Sequence, residues 1–203
     1  MSAPPLLRTL EPVILASGSP RRRELLAGLG LTFKVMPAAV NETPGNREQP
    51  EDFAGRMAVA KAAAVAGTRP SSWVVGADTI VVMPDKTILG KPRNREHALM
   101  MLRQLRGNTH QVMTGLCLCC LNKGVKASLV ETTEVTFTEE VGDEILQAYI
   151  RTGEPLDKAG AYGIQGTGSF LVRDINGSCS NVIGLPLHRL LSLLIENRVV
   201  APA

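Results

Sequence analysis

The sequence predicts an α/β domain with a mixed β-sheet, and three observations favour this fold class. Segments with helical and with strand periodicity intermix along the whole chain. The apolar strand WVVGADTIVVM is followed by the turn Pro84-Asp85 and a short partner, TILGKP, which is typical of an antiparallel pair. The middle of the chain can form a second lobe, so we expect a cleft between two lobes.

The first elements are predicted from the stretch ILASGSPRRRELLAGLG, residues 14–30. Its opening letters, ILA, end a buried strand. Ser19 is typical of a helix N-cap, and Pro20 is typical of the first helical position. The helix that follows ends at Gly30, a common terminator.

The later elements follow from periodicity and turn residues. Residues 40–52 form a polar loop, and residues 51–67 form a helix with Phe53, Met57 and Ala64 along one apolar stripe and Lys61 at its edge. A second amphipathic helix, NREHALMMLRQLRG, precedes the strands HQVMTGLCLCCL and SLVETTEVTF. The helix DEILQAYIRTGEP, an irregular glycine-rich segment over 157–178 and the helix PLHRLLSLLIEN complete the chain. We expect one domain over residues 13–197, with tails at 1–12 and 198–203.

Composition excludes several classes of function. A net charge of +3 and only 3% aromatic residues do not favour a nucleic-acid-binding surface. No signal peptide is recognisable, and no stretch is long and apolar enough to predict a membrane span. Cys117, Cys119 and Cys120 lie in an apolar run, with Cys117 and Cys119 on one strand face and Cys120 on the other, and are expected to be buried, reduced thiols rather than metal ligands. We therefore expect a cytoplasmic protein with a small-molecule partner, and a homodimer stays open.

Three consecutive arginines in the first turn of the first helix require an explanation. The N-terminal end of a helix is already positive, so cations there are disfavoured. At 100° per residue, Arg22 points along the buried leucine face, with Arg21 and Arg23 on either side. An inward guanidinium beside free backbone amides predicts an anion or phosphate site. The alternative is that these arginines are solvated, or paired with the protein's own carboxylates.

Asp78 is the second candidate, because it interrupts the apolar strand VVGADTIVV. A buried carboxylate is costly unless it is paired, hydrogen-bonded or bound to a cation. Asp78 could therefore hold a divalent metal or act as a general base, and the alternative is a structural salt bridge. The chain has neither a P-loop motif nor a GxGxxG motif that opens a helix. Its three histidines are interpreted as structural.

Several motifs in fixed order closely resemble the Maf-like nucleotide pyrophosphatases over about residues 13–196. They are LASGSPRRRELL, VGADTIVV, LGKP, GEPLDKAGAYGIQGTG and NVIGLPL. The resemblance implies hydrolysis of nucleoside triphosphates to the monophosphate and pyrophosphate, with a divalent cation, Mg²⁺ or Mn²⁺. It also implies an elongated mixed sheet flanked by helices, with the active site between two lobes.

Site residues carried over from the resemblance fall into three groups. Asp78 in GADT is the implied proton acceptor, and with Glu42 the implied metal ligand. The implied phosphate-binding residues are Ser17, Arg21, Arg22, Lys61 and Lys91. The motif AGAYGIQG follows the branch that acts on dTTP and UTP, which makes Arg21, Thr79 and Gln165 the implied specificity residues.

Two alternatives to a dTTP/UTP pyrophosphatase stay open at this point. One is a Maf-like pyrophosphatase of another specificity, such as 7-methyl-GTP, whose branch carries an acidic residue where Gln165 stands. The other is a nucleotide-binding regulator of cell division or septum formation. A regulator that only binds nucleotides would need the arginines but would not need Asp78 within its strand.

Overall fold

The computed structural model describes residues 5–203, and its order of elements confirms the predicted α/β class. The strands are β1 (Leu7–Thr9), β2 (Val13–Leu15), β3 (Phe33–Val35), β4 (Trp73–Val82), β5 (Ile88–Leu89), β6 (Thr109–Cys120), β7 (Val125–Phe137), β8 (Val172–Asn176) and β9 (Val200–Pro202). The helices are α1 (Pro20–Gly28), α2 (Pro50–Ala66), α3 (Arg95–Leu105), α4 (Asp143–Arg151), α5 (Cys179–Ile183) and α6 (Leu187–Glu196). Short 3₁₀ turns occur at 121–123, 154–157, 159–161 and 167–171.

The main sheet has seven strands in the order β3-β2-β4-β6-β7-β8, with β5 paired to β4. β2 is parallel to both β3 and β4, whereas β4 and β5 are antiparallel, as are β7 and β8. The predicted mixed sheet is therefore confirmed. β1 and β9 form a separate antiparallel pair, and they lie within the segments predicted as tails.

The chain divides into two compact units. Among the described residues, unit 1 comprises 5–78, 114–131 and 184–203, and unit 2 comprises 79–113 and 132–183. β4, β6 and β7 contribute residues to both units. The predicted domain boundaries at residues 13 and 197 stay a prediction.

Unit 1 has helices on both faces of its part of the sheet. Successive strand residues face opposite sides, and those on each side are apolar and pack against a helix. Val13, Leu15, Trp73 and Val75 pack in one cluster with Leu26 of α1 and with Leu190 and Leu194 of α6. Ile14, Ala16 and Val74 pack in another cluster with Ala58, Ala62 and Val65 of α2. The cysteines follow the same alternation: Cys117 and Cys119 share the α2 face, Cys120 lies on the other, and all three are free thiols as predicted.

Unit 2 is built around α3, α4 and an aromatic group. His110 is buried, and its Nε2 lies 2.8 Å from the hydroxyl of Tyr162, while its ring meets Phe137 edge-on. Burial lowers the pKa of His110 to about 4, so the ring is neutral at neutral pH. These contacts make His110 a structural residue of the core, as predicted for this histidine.

One element of unit 2, β8, differs from the prediction of an irregular segment over 157–178, and a short helix, α5, lies just beyond that segment. Val172–Asn176 form β8, and Cys179–Ile183 form α5 immediately after it. β8 is ordered by its pairing with β7, in which Ile175 lies opposite Val135. That partner is distant along the chain, so no local pattern predicts the pairing. None of the helices within residues 5–203 is long and apolar enough to cross a membrane.

Candidate active site

Unit 1 holds five of the predicted site residues in one charged cluster. Ser17 follows β2, Arg22 lies in the first turn of α1, Glu42 lies in the loop before α2, Lys61 lies in α2, and Asp78 lies in β4. Each is placed by a different element, and the cluster therefore exists only in the folded unit.

The first turn of α1 has the predicted orientation. Ser19 is the N-cap, its hydroxyl oxygen lies 3.5 Å from the backbone nitrogen of Arg22, and Pro20 opens the helix. Arg22 is buried at 8% exposure, Arg21 is half-buried, and Arg23 is exposed. The prediction that Arg22 alone faces inward is confirmed.

Two hydrogen bonds fix the guanidinium of Arg22. Its Nε donates to the carbonyl of Gly184 at 2.7 Å, and its Nη1 donates to the hydroxyl oxygen of Ser17 at 3.0 Å. Burial lowers the pKa of Arg22, the negative charge of Asp78 raises it, and the neighbouring charge of Arg21 lowers it again. The negative charges of Asp78 and Glu42 thus favour the charged form of the buried Arg22 guanidinium.

Lys61 lies between two carboxylates. Its Nζ is 2.6 Å from Oε1 of Glu42 and 2.6 Å from Oδ1 of Asp78. The Lys61 and Asp78 side chains are 10% and 13% exposed, whereas that of Glu42 is 56% exposed. The predicted position of Lys61 at the edge of an apolar stripe is wrong, because Lys61 lies on the buried face of α2 while Ala64 is exposed.

Gly76 explains how α2 reaches β4 closely enough for this ion pair. A Cβ atom added to Gly76 would lie 2.3 Å from the carbonyl oxygen of Ala58 and 2.7 Å from the backbone nitrogen of Ala62. Only a glycine permits that approach. Side chains alternate along a strand, so Asp78 projects on the same face of β4 as Gly76. On that face lies α2, and Asp78 there contacts Lys61.

The loop that carries Glu42 is tied to α2 by an ion pair that the sequence analysis did not identify. Arg56 donates through Nε and Nη2 to the carboxylate of Glu48 at 2.6 and 2.7 Å, and Nη2 also donates to the carbonyl of Thr43 at 3.2 Å. The backbone nitrogen of Gly45 donates to the same carboxylate. The hydrogen bonds from Arg56, which have the largest effect, and the one from Gly45 lower the pKa of Glu48 to about 2.

The same carboxylates fit a hard divalent cation. Glu42 and Asp78 each place an oxygen 2.6 Å from a single point, the ammonium nitrogen of Lys61. Among residues 5–203, no group of three or more histidine, cysteine, aspartate or glutamate side chains could hold a metal ion. A pair of carboxylates completed by substrate phosphates is the donor set that Mg²⁺ commonly has in phosphate-processing sites.

Three further predicted residues belong to unit 2, while Arg21 lies beside Arg22 in unit 1. Thr79 directly follows Asp78 in β4 and is half-buried. Lys91 is exposed shortly after β5, and Gln165 is exposed between two 3₁₀ turns. All three side chains are at least partly exposed, so a ligand can reach them.

The sequence did not identify three groups of unit 1: the carbonyl of Gly184 and the side chains of Glu48 and Arg56. The carbonyl of Gly184 lies 162 residues from Arg22, and no local pattern marks a backbone acceptor. Glu48 and Arg56 are indistinguishable by residue type from solvated charges. The available signal is an acidic residue just before a helix whose second turn carries an arginine.

A family model described as Maf-like protein matches residues 12–197 of the chain. The dTTP/UTP pyrophosphatase of Desulfotalea psychrophila is 46% identical over 192 residues, which cover 94% of this chain and 97% of the relative. The dTTP/UTP pyrophosphatase of Nitratidesulfovibrio vulgaris is 48% identical over 190 residues, covering 93% and 89%.

Among solved structures, a HAM1 protein from Coxiella burnetii resembles the fold with a TM-score of 0.55. The two are 15% identical, and the match covers 92% of this chain and 100% of that chain. At this level of identity the likeness supports the fold alone.

Proposed function

The chain belongs to the Maf-like family, and we propose that it hydrolyses dTTP and UTP to the nucleoside monophosphate and pyrophosphate. The observation that carries the proposal is the cluster in unit 1, where Asp78 and Glu42 meet Lys61 within the charge field of buried Arg22. The arginine and lysine side chains attract a polyphosphate. A protein that only bound nucleotides would not need the carboxylates, so their presence favours a hydrolase.

The cationic residues bind the triphosphate. Arg22 is held in place by Ser17 and by the carbonyl of Gly184, so its guanidinium loses little conformational freedom when it binds an anion. Arg21 adds a second guanidinium, and Lys91 adds charge along the polyphosphate. Arg21 and Arg22 at the start of α1 are therefore explained by the substrate, whose negative charge compensates their mutual repulsion in the complex.

Asp78 is the proposed proton acceptor for the attacking water. As the water oxygen attacks phosphorus, the anhydride bond between the α- and β-phosphates breaks, and its electron pair leaves with pyrophosphate. The water proton passes to the carboxylate of Asp78. Lys61 orients this carboxylate through the 2.6 Å ion pair, and its positive charge opposes the build-up of negative charge on the phosphates.

The proposal includes a divalent cation, Mg²⁺ or Mn²⁺, held by Glu42 and Asp78. When bound, such an ion withdraws negative charge from the bridging and leaving oxygens.

Gln165 is the proposed reader of the base, with Arg21 and Thr79 as further specificity residues. Its amide can donate to O4 and accept from N3–H of uracil or thymine. Cytosine reverses this pattern, and purines differ in both shape and edge. The predicted absence of nucleic acid as a partner, the cytoplasmic location and the homodimer stay predictions.

The substitution Gln165→Glu tests the proposed specificity, because it keeps the size of the side chain and removes its donor. A carboxylate set against O4 costs about 1–3 kcal/mol, so kcat/KM for dTTP and UTP should fall roughly 10- to 100-fold. We would measure kcat/KM for dTTP, UTP, CTP, GTP and 7-methyl-GTP on both proteins.

Gln147→Glu is the matched control, since Gln147 is also exposed in unit 2 but lies on α4. It makes the same change of charge, and it should leave every rate close to wild type. An unchanged pyrimidine ranking in Gln165→Glu would remove Gln165 from base recognition.

A further inference from the structure

The segment that carries Gln165 has no regular secondary structure of its own. We define the Gln165 loop as residues 162–166, between the 3₁₀ turns at 159–161 and 167–171 of unit 2. Gln165 is exposed, and Gly166 after it has φ +102°, a conformation that other residues rarely adopt. A base-reading amide on such a loop needs an anchor that holds the backbone in one conformation.

The carboxylate of Glu154 accepts three hydrogen bonds, two of them from the backbone that directly follows this loop. Its Oε2 accepts from the backbone nitrogen of Thr167 at 3.0 Å, and its Oε1 accepts from that of Gly168 at 3.2 Å. The hydroxyl of Tyr149, on α4, donates to Oε1 at 3.1 Å. Although burial opposes it, the amide hydrogen bonds hold the pKa of Glu154 below its ordinary value, so the carboxylate is ionised at neutral pH.

The loop backbone also packs directly on these two side chains. A Cβ atom at Gly166 would lie 3.1 Å from Oε2 of Glu154, and one at Gly168 would lie 2.3 Å from the hydroxyl oxygen of Tyr149. The glycines therefore allow the backbone to approach the carboxylate closely enough for its amides to bind it.

The start of the loop is tied to the same residue through Lys158. The Nζ of Lys158 donates to the backbone carbonyl of Glu154 at 2.6 Å. Its side chain lies under Gly163, where an added Cβ would come within 2.9 Å of Cε. The carboxylate of Glu154 thus binds the backbone that follows the loop, and Lys158, bonded to the Glu154 carbonyl, packs beside the start of the loop.

We propose that Glu154 is a positioning residue for Gln165, fixing the loop so that the amide is preorganised to read the pyrimidine edge. This inference rests on the proposed function, since it takes Gln165 as the group that contacts the base. Glu154 acts through the backbone of Thr167 and Gly168. Its loss therefore weakens base discrimination and leaves polyphosphate binding unchanged.

The test is a double-mutant cycle between Glu154→Gln and Gln165→Ala. Glutamine keeps the size of the side chain, but its neutral amide is a weaker acceptor and turns an N–H₂ group towards donors. The preference for UTP over GTP in kcat/KM should fall about 10-fold in Glu154→Gln, the factor for one weakened hydrogen bond to a charged group. Inorganic tripolyphosphate, which has no base, should inhibit the wild type and Glu154→Gln with the same Ki.

If Glu154 acts through Gln165, the effects of the two substitutions on the preference for UTP over GTP are not additive. The double variant should therefore discriminate no less than Gln165→Ala alone. Tyr149→Phe, which removes one donor to Glu154, should give a smaller loss of the same kind, and Glu140→Gln, at an exposed carboxylate of unit 2, should give none. Thermal unfolding of each variant identifies any general loss of structure.

The outcomes separate this inference from the function it rests on. If the wild type prefers UTP and Gln165→Ala loses that preference while Glu154→Gln retains it, the positioning role is overturned and the proposed function stands. Additive losses, or a Ki for tripolyphosphate that rises with the loss of selectivity, also overturn it. A wild type without preference for pyrimidines overturns the proposed function itself.

Discussion

Replacing Asp78 with asparagine is expected to lower kcat for UTP by about 10²–10⁴, the usual loss when a positioned base is removed. Asparagine has the same shape, but its amide cannot take up the water proton at neutral pH. Lys61 keeps its ion pair with Glu42, so the variant does not leave a buried ammonium alone. The fold is therefore expected to survive, which circular dichroism and thermal unfolding would check.

Asp52→Asn is the matched control for this experiment. Asp52 is exposed in the first turn of α2, the helix that carries Lys61, so the substitution makes the same chemical change in the same unit. It should leave kcat unchanged. Turnover near that of the wild type in folded Asp78→Asn would exclude Asp78 as the proton acceptor.

Replacing Arg22 with alanine is expected to weaken binding of the triphosphate by about 1.5–3 kcal/mol, the range for a hydrogen bond to a charged group. Arg22 is buried and its guanidinium is fixed by Ser17 and Gly184, whereas Arg23, in the same turn, is exposed. Arg23→Ala should therefore have a much smaller effect. The measurement is the Ki of inorganic tripolyphosphate for each variant.

Stability must be measured alongside, because Arg22→Ala also removes the hydrogen bond to the Gly184 carbonyl. A Ki determined well below the unfolding temperature of each variant reports binding to the folded state. Equal increases in Ki for Arg22→Ala and Arg23→Ala would show that the buried orientation of Arg22 has no role in binding.

Local patterns predicted the parts of the fold that depend on near neighbours. Ser19 and Pro20 marked the start of α1, and the leucine face placed Arg22 inward, because capping and helical phase are set within a few residues. Elements stabilised by distant partners were missed. β8 is rich in polar residues and is ordered by β7, while β1 and β9 pair across nearly the whole chain.

Lys61 shows why a helical stripe can be misplaced. The sequence around it, KAAAVA, is rich in alanine, which packs on either face and gives little contrast between them. The phase is set by the strands beneath α2, where Gly76 and Gly115 leave room for its backbone. A glycine within a buried strand was the available signal, since it marks close approach by another backbone.

The candidate site was identified mainly by resemblance, and physical reasoning from the sequence supplied only part of it. Arg22 and Asp78 were recognisable because a cation at a helix start and a carboxylate in an apolar strand both conflict with their surroundings. Glu42 and Glu154 lie in polar segments where acidic residues are ordinary. Their contacts with Lys61 and with the Gln165 loop arise only on folding.

The most direct test of the central claim is the identity of the bond that is cleaved and of the base that is preferred. Release of orthophosphate would be measured for dTTP, UTP, CTP, ATP, GTP and 7-methyl-GTP with Mg²⁺ or Mn²⁺, in the presence and absence of added inorganic pyrophosphatase. We predict the highest kcat/KM for dTTP and UTP, with orthophosphate appearing only when the added pyrophosphatase splits the product. Orthophosphate released without it, or a purine nucleotide as the best substrate, would contradict the claim.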